Sequence, residues 1–314
     1  MKIAGIEVKE ASKVKGLYKV GESAGHDISL PFIIIRGKSK GPTLCVLGGV
    51  HSLEFTSIEA IYQLERELSP DRLSGVLILI PVVNVEGFVR RTPYYNDLDY
   101  LNQNKVFPGD PSGTMTQRVA YNVFQEFVSK ADFLVDAHSA DLGEDGTRLV
   151  FAYKTENDEL FQNMIKMASC FDVDYILLSD GEKSTGEAVK IYGIPCIETL
   201  SGAPFPIRKQ DVCFHKEGIL NLMRHLQMLE EEAEYANVPI NPEISRIYSD
   251  FGGIWRKKVI AGQYVEKDEV LGEVLNLVGD SIQLIEASSD GNIVFLRTHY
   301  SVNSGDTLVL LAKT

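Results

Sequence analysis

TLCVLGGVHSLEFTSIEAIYQLERELSPDRLSGVLILIPVVN (43–84) is the stretch that decides the fold. Residues 43–50 are an apolar run and read as a buried strand. Across 56–70, Ile58, Ile61, Leu64 and Leu68 recur at helical spacing, and Pro70 stops the helix. Gly75 then opens a second apolar run, 75–84. A strand, a helix and a strand in that order predict parallel pairing with a right-handed crossover.

The alternation continues on both sides of this unit. Upstream, GLYKVGES and SLPFIIIRG read as strands, the second β-branched and apolar. Downstream come a helix, TQRVAYNVFQEFVSK, capped by Thr114 or Thr116, and the strands DFLVDAH and LVFAY. A helix at ENDELFQNMIKMASC leads to the strands DYILLS and GIPCIETL. An amphipathic helix over roughly 210–236 closes the series, with Ile219, Leu222, Met223, Leu226 and Leu229 on one side. This pattern predicts an α/β fold with a doubly wound, mixed, mainly parallel sheet. Residues 85–114 carry no periodicity and are rich in Gly, Pro, Asn and Asp. An irregular stretch of that length inside a compact domain is usually functional. Pro239 and Pro242 break the last helix, and only strand-like runs follow, with glycines at 252, 262, 272, 279, 291 and 305. That spacing predicts a small C-terminal all-β barrel or sandwich domain. The expected division is residues 1–243 and residues 244–314.

The 44 acidic and 31 basic residues give a net charge of −13, which argues against nucleic acid or an anionic membrane as partner. Cys45, Cys170, Cys196 and Cys213 form no CxxC pair, and two of them sit in apolar strands. A reducing, cytoplasmic location without disulfides is expected. The N-terminal residues contain no continuous apolar region, so no signal peptide is expected, and no run is long enough to span a membrane.

His51 and Glu54 follow the first strand, three residues apart, and His138 ends a later one. Two imidazoles and a carboxylate on strand ends match the ligands of a catalytic zinc site with one position open to water. Alone, His51 and Glu54 also fit a helix start, with Glu54 favoured by the dipole. Asp136 either orients a ligand or caps a turn. Glu198 is the lone charge in IPCIETL, a carboxylate of the kind such a site uses as base, or else a solvent-facing edge residue. Glu187 is a weaker rival. The irregular loop offers Arg90, Arg91, Asn104 and Lys105 to hold a substrate carboxylate or a developing oxyanion. His26, His215, His225 and His299 show no partner pattern and read as surface or core-rim residues.

Together, GGVHSLEF, PVVNVEGF, NQNKVFPG, VDAHSAD and GIPCIETLSG resemble the succinylglutamate desuccinylase/aspartoacylase family, within the zinc carboxypeptidase-like superfamily. The resemblance implies one zinc ion per chain, held by His51, Glu54 and His138, with Glu198 as general base. It implies hydrolysis of an amide that releases an acyl group from an amino acid or related small amine. The sequence departs from the family pattern in three places: Ser52 stands in its His-Gly-x-Glu turn, Val85 in its Asn-Pro pair and Lys105 in its Asn-Arg pair. Lysine lacks the planar two-pronged grip of arginine. The segment 245–314 is also similar to the barrel-sandwich of biotinyl and lipoyl carriers, but IEASSDGNI has no lysine to modify. Its expected role is to cover the site or to make homo-oligomer contacts. Two other functions compete: a zinc carboxypeptidase acting on peptides, and a non-catalytic binding protein on a decayed hydrolase scaffold.

Overall fold

The computed structural model describes residues 1–313. Two hairpins open the chain, β1 (Lys2–Ile3) with β2 (Ile6–Glu7) and β3 (Ser12–Ser23) with β4 (His26–Arg36). There follow β5 (Ser39–Gly48), α1 (Phe55–Glu67), β6 (Ser74–Ile80), α2 (Val85–Arg90), α3 (Met115–Glu126) and β7 (Phe133–His138). Next come β8 (Glu144–Gly146), β9 (Leu149–Tyr153), α4 (Asp158–Ser169), β10 (Tyr175–Ser179), α5 (Glu187–Tyr192), β11 (Cys196–Leu200) and α6 (Lys209–His225).

One eight-stranded sheet runs β10-β9-β11-β7-β5-β6-β4-β3. Its middle, β11-β7-β5-β6, is parallel throughout, and β10 is parallel to β9. β9 opposes β11, β4 opposes β6 and β3 opposes β4, so the sheet is mixed. The C-terminal half of β5 and nearly all of β6 are fully buried. Strands covered on both faces need continuous apolar runs, which is what 43–50 and 75–84 supply. On α1, Ile58, Ala60, Ile61 and Leu64 are buried where the helix packs between the sheet and α6. α3 begins where the Gln117 side chain accepts a hydrogen bond from the Thr114 N–H at 2.9 Å, satisfying one orphan donor of the helix end.

The helix expected over 210–236 ends at His225. Gln227 lies in the left-handed region (φ 56°), and Glu230, Glu231, Glu232 and Glu234 crowd the next turns. Acidic charge at a helix C-terminus opposes the dipole, so the chain turns away. Asn221 holds the returning segment, accepting from the Glu234 N–H at 2.9 Å and donating to the Cys170 carbonyl at 2.7 Å.

Residues 244–313 make two further sheets from β12 (Ile244–Tyr248), β13 (Gly253–Lys257), β14 (Tyr264–Val265), β15 (Val270–Leu275), β16 (Ser281–Glu286), β17 (Gly291–Arg297), β18 (Ser301–Val302) and β19 (Thr307–Lys313). One is ordered β12-β19-β17-β14, the other β16-β15-β13-β18. Trp255, Val265, Leu271, Ile285, Ile293 and Leu311 fill a separate core there. β8, from the Gly- and Asp-rich loop after His138, pairs with β17 and joins this sheet, matching Gly146 to Phe295. A third apolar cluster sits at the joint and includes Leu149, Val294 and Ala312. Among the described residues, no helix is long and apolar enough to cross a membrane.

Candidate functional site

β5 ends at Gly48, and Gly49 adopts φ 57°, a conformation that glycine takes without steric cost. The adjoining loops are stitched together by the Val83 N–H to the Gly48 carbonyl (3.0 Å) and the Asn84 N–H to the Gly49 carbonyl (2.9 Å). The turn delivers His51 and Glu54 to the carboxyl ends of the parallel strands, where open α/β sheets place their ligands. Ser52 is buried. Its hydroxyl bonds the Thr92 and Pro93 carbonyls, and its N–H donates to Pro93 at 3.0 Å. A glycine there would make only the last contact. Ser52 therefore pins the turn to the irregular loop. Glu54 stands at the N-cap of α1, yet its side chain makes no capping bond.

Its carboxylate instead lies between two imidazoles. Oε1 is 2.8 Å from His51 Nδ1, and Oε2 is 2.7 Å from His138 Nδ1. The two rings are 5.1 Å apart. The outer nitrogens also face polar atoms. His51 Nε2 is 3.2 Å from Asn102 Oδ1, and His138 Nε2 is 3.0 Å from Asp136 Oδ2, which accepts from the Thr185 hydroxyl at 2.9 Å. Burial alone would push the Glu54 carboxyl up, but the two imidazoles overcome it and hold it at about 2. Burial would lower both histidines, and the carboxylates reverse that. Glu54 raises His51, while Asp136, Glu54 and Glu198 raise His138 well above the ordinary value. Positive charge is thus favoured at this point.

Glu54 Oε2 and His138 Nε2 are fully buried without a properly aligned hydrogen bond. His51, Glu54 and His138 bring ligand atoms within 4.8 Å of one another. A two-nitrogen, one-carboxylate donor set with an unsatisfied buried oxygen fits zinc. Asp136, His138 and Glu198 form a second trio around the same histidine.

Strand register supplies Glu198. β11 pairs Glu198 with Asp136 of β7 and with Phe151 of β9, so all three share one sheet face. The Tyr153 hydroxyl donates to Glu198 Oε2 at 3.2 Å. Burial, then the Glu198 charge, drives the Tyr153 phenol well above its usual value, so it stays a donor.

These groups open into a cavity of about 400 Å³. His51, Glu54, His138, Asp141, Glu144 and Glu198 line it, and across from them stand Ile244, Arg246, Val294, Phe295 and Leu310 of the β segment. None of Arg90, Arg91, Asn104 and Lys105 lines this cavity. Arg90 is exposed, 3.6 Å from Glu86, and Arg91 is the exposed left-handed cap of α2. Asn104 is buried in a short 3-10 turn with Lys105 exposed beside it. The cavity's arginine is Arg246. Glu187 stays outside it, paired with Lys190. Asn102, Tyr153 and Arg246 are functional candidates that sequence reasoning passed over. Asn102 sits inside the NQNKVFPG motif, while nothing local marked the other two. His215, expected at the surface or core rim, is fully buried with Nδ1 3.0 Å from Thr199 Oγ1. Burial holds its pKa down to about 3.

The family model for the succinylglutamate desuccinylase/aspartoacylase catalytic domain matches residues 40–226. The N-alpha-acetyl-L-2,4-diaminobutyric acid deacetylase of Halomonas elongata is 26% identical over 307 residues, spanning 93% of this chain and 88% of that protein. A crystal structure of a succinylglutamate desuccinylase/aspartoacylase from Rhodobacter sphaeroides superposes with a TM-score of 0.85 at 22% identity, over 99% of each chain. The product-bound ectoine utilization protein of Ruegeria pomeroyi gives a TM-score of 0.88 at 22% identity, over 98% of each chain. At these identities the structural likeness is one of fold.

Proposed function

The chain belongs to the succinylglutamate desuccinylase/aspartoacylase family, and on that premise we propose that it is a zinc-dependent deacylase cleaving the amide of an N-acylated amino acid or similar small molecule. One observation carries this reading: Glu54 lies within 2.8 Å of His51 Nδ1 and 2.7 Å of His138 Nδ1, on the same cavity as Glu198. His51, Glu54 and His138 are the metal ligands in this reading. The second trio is the poorer choice, because Asp136 already accepts from Thr185 and Glu198 from Tyr153. Zinc held there would polarise the scissile carbonyl and bring the pKa of a water toward about 7.

Glu198 takes the proton of the attacking water and passes it to the leaving amine. Tyr153 fixes one oxygen of that carboxylate and leaves the other for the water. Asn102 and Asp136 orient the two imidazoles through their outer nitrogens. Arg246 meets the substrate carboxylate, in place of Arg90, Arg91 or Lys105. In the same proposal residues 1–243 are a zinc carboxypeptidase-like catalytic domain and 244–314 a β domain that roofs the cavity. The roof favours a small molecule over a peptide, and the named substrate of the Halomonas relative is small and N-acetylated. Survival of all three ligands and of Glu198 speaks against a decayed scaffold.

The test is metal analysis of the purified protein, followed by a hydrolysis screen of N-acetyl, N-succinyl and N-formyl amino acids against dipeptides. One zinc per chain and turnover of N-acyl amino acids are expected, with Glu198→Gln keeping metal and losing turnover. Full activity in Glu198→Gln, or a protein that binds no metal, overturns the assignment.

A further inference from the structure

The cavity has two chemically different ends. Register places Leu177, Phe151, Glu198 and Asp136 in one rank across four strands, and Tyr175, Leu149, Leu200 and His138 in the next. Moving from Glu198 toward the sheet edge, the floor residues that line the cavity, Phe151, Leu149 and Leu177, are apolar over two strand spacings, about 10 Å at ~4.8 Å each. The roof above it is apolar apart from Arg246. Leu310 pairs with Arg246 and with Phe295, and Ile244 lies two residues before Arg246 on β12. Phe151, Leu177, Leu200, Ile244, Phe295 and Leu310 all line the cavity, and all are only partly buried. Apolar side chains at a joint between two packed units gain by closing on one another. Here Phe151, Leu177, Leu200, Ile244 and Leu310 close only in part, packing against the joint cluster of Leu149, Val294 and Ala312 while keeping some surface on the cavity beside the base. Small polar acyl groups or amines would gain nothing from such walls.

We propose that the substrate carries an apolar arm, an acyl chain of several carbons or an apolar amino-acid side chain, seated between the Leu177–Phe151 floor and the Ile244–Phe295–Leu310 roof. The arm extends from the scissile amide toward the sheet edge, and the β segment reads it. The kinetic form of this inference rests on the deacylase reading, so it is tested by binding as well as by turnover.

With zinc-loaded enzyme, lengthening N-acetyl to N-hexanoyl on one amino acid is expected to raise kcat/KM about fourfold per methylene, the equivalent of ~0.8 kcal/mol. N-acetylleucine against N-acetylglycine asks the same of the amine side. A gain in either series supports the proposal and says which side bears the arm. Leu310→Asn and Leu177→Asn, on opposite walls, should each cut that gain at least about tenfold, with melting curves showing that the variants fold. Independently of turnover, Glu198→Gln should bind hexanoate at least about tenfold tighter than acetate by calorimetry. Equal binding of the two acids together with equal binding of N-acetylleucine and N-acetylglycine to the same variant overturns the apolar seat, whatever the enzyme hydrolyses. Tight hexanoate binding without hydrolysis of any N-acyl amino acid overturns the deacylase reading and leaves the seat standing. A preference for N-acetyldiaminobutyrate or N-acetylaspartate over every apolar substrate overturns the inference while keeping the deacylase.

Discussion

His51, Glu54, His138 and Glu198 are each fixed by a polar partner at 3.2 Å or less, whereas Ile244, Val294, Phe295 and Leu310 across the same cavity offer apolar surface, with Arg246 among them. The first wall comes from the ends of strands in the main sheet, where the polar side chains hold one another in place. The second comes from a sheet with its own core, where substitutions change fit before they change chemistry. In the proposed reading, reaction and selectivity fall to different parts of the chain, and each part can be perturbed separately.

The sharpest separation is Glu198→Gln. It should lower kcat about 10²- to 10⁴-fold, as loss of a general base does, while leaving the ratio of affinities for long and short acyl groups unchanged in a binding assay. Next in size is the pH response of His215, beneath the polar wall. Its folded pKa of about 3 lies below the unfolded value of about 6.5. The unfolded chain therefore binds the extra proton between those values, and stability falls as pH drops through that window. Denaturant titrations should show about 2 kcal/mol lost between pH 7 and pH 5 from this residue. The slope should flatten in His215→Leu. A wild-type protein equally stable at both pH values would break the picture of a deeply buried, neutral imidazole. Tyr153→Phe should cost about tenfold in kcat with little change in KM, since it orients the base without touching the arm. Arg246→Ala should do the reverse, raising KM severalfold at nearly constant kcat, and Arg246→Lys should recover only part of it. A kcat defect in Arg246→Ala would blur the line between the two walls.

Strand ends made the polar wall legible. Apolar runs that terminate in His51 or His138 show their own boundaries, and the single charge in IPCIETL stands out against its neighbours. Arg246 and Tyr153 had no such local mark. Arg246 reaches the cavity only because a separate sheet folds over it, and Tyr153 finds Glu198 because β9 runs antiparallel to β11. Cross-strand register is a long-range property that no window of sequence contains. The loop cations stand off this cavity for the opposite reason. Clustering in sequence says nothing of direction, and Arg90 turns toward Glu86. α6 stops short of its apolar pattern because periodicity records packing, and Leu226 and Leu229 still pack against the core after the helix has ended.

The loop after His138 does not merely pass beneath the roof: Glu144–Gly146 is a strand of the roof's own sheet, hydrogen-bonded to β17. The two parts are thus not interchangeable cassettes. A chimera carrying a foreign C-terminal segment would have to offer an edge for those three residues. Without it, the backbone leading out of His138 would lose its anchorage, and the graft would displace a buried imidazole it never touches.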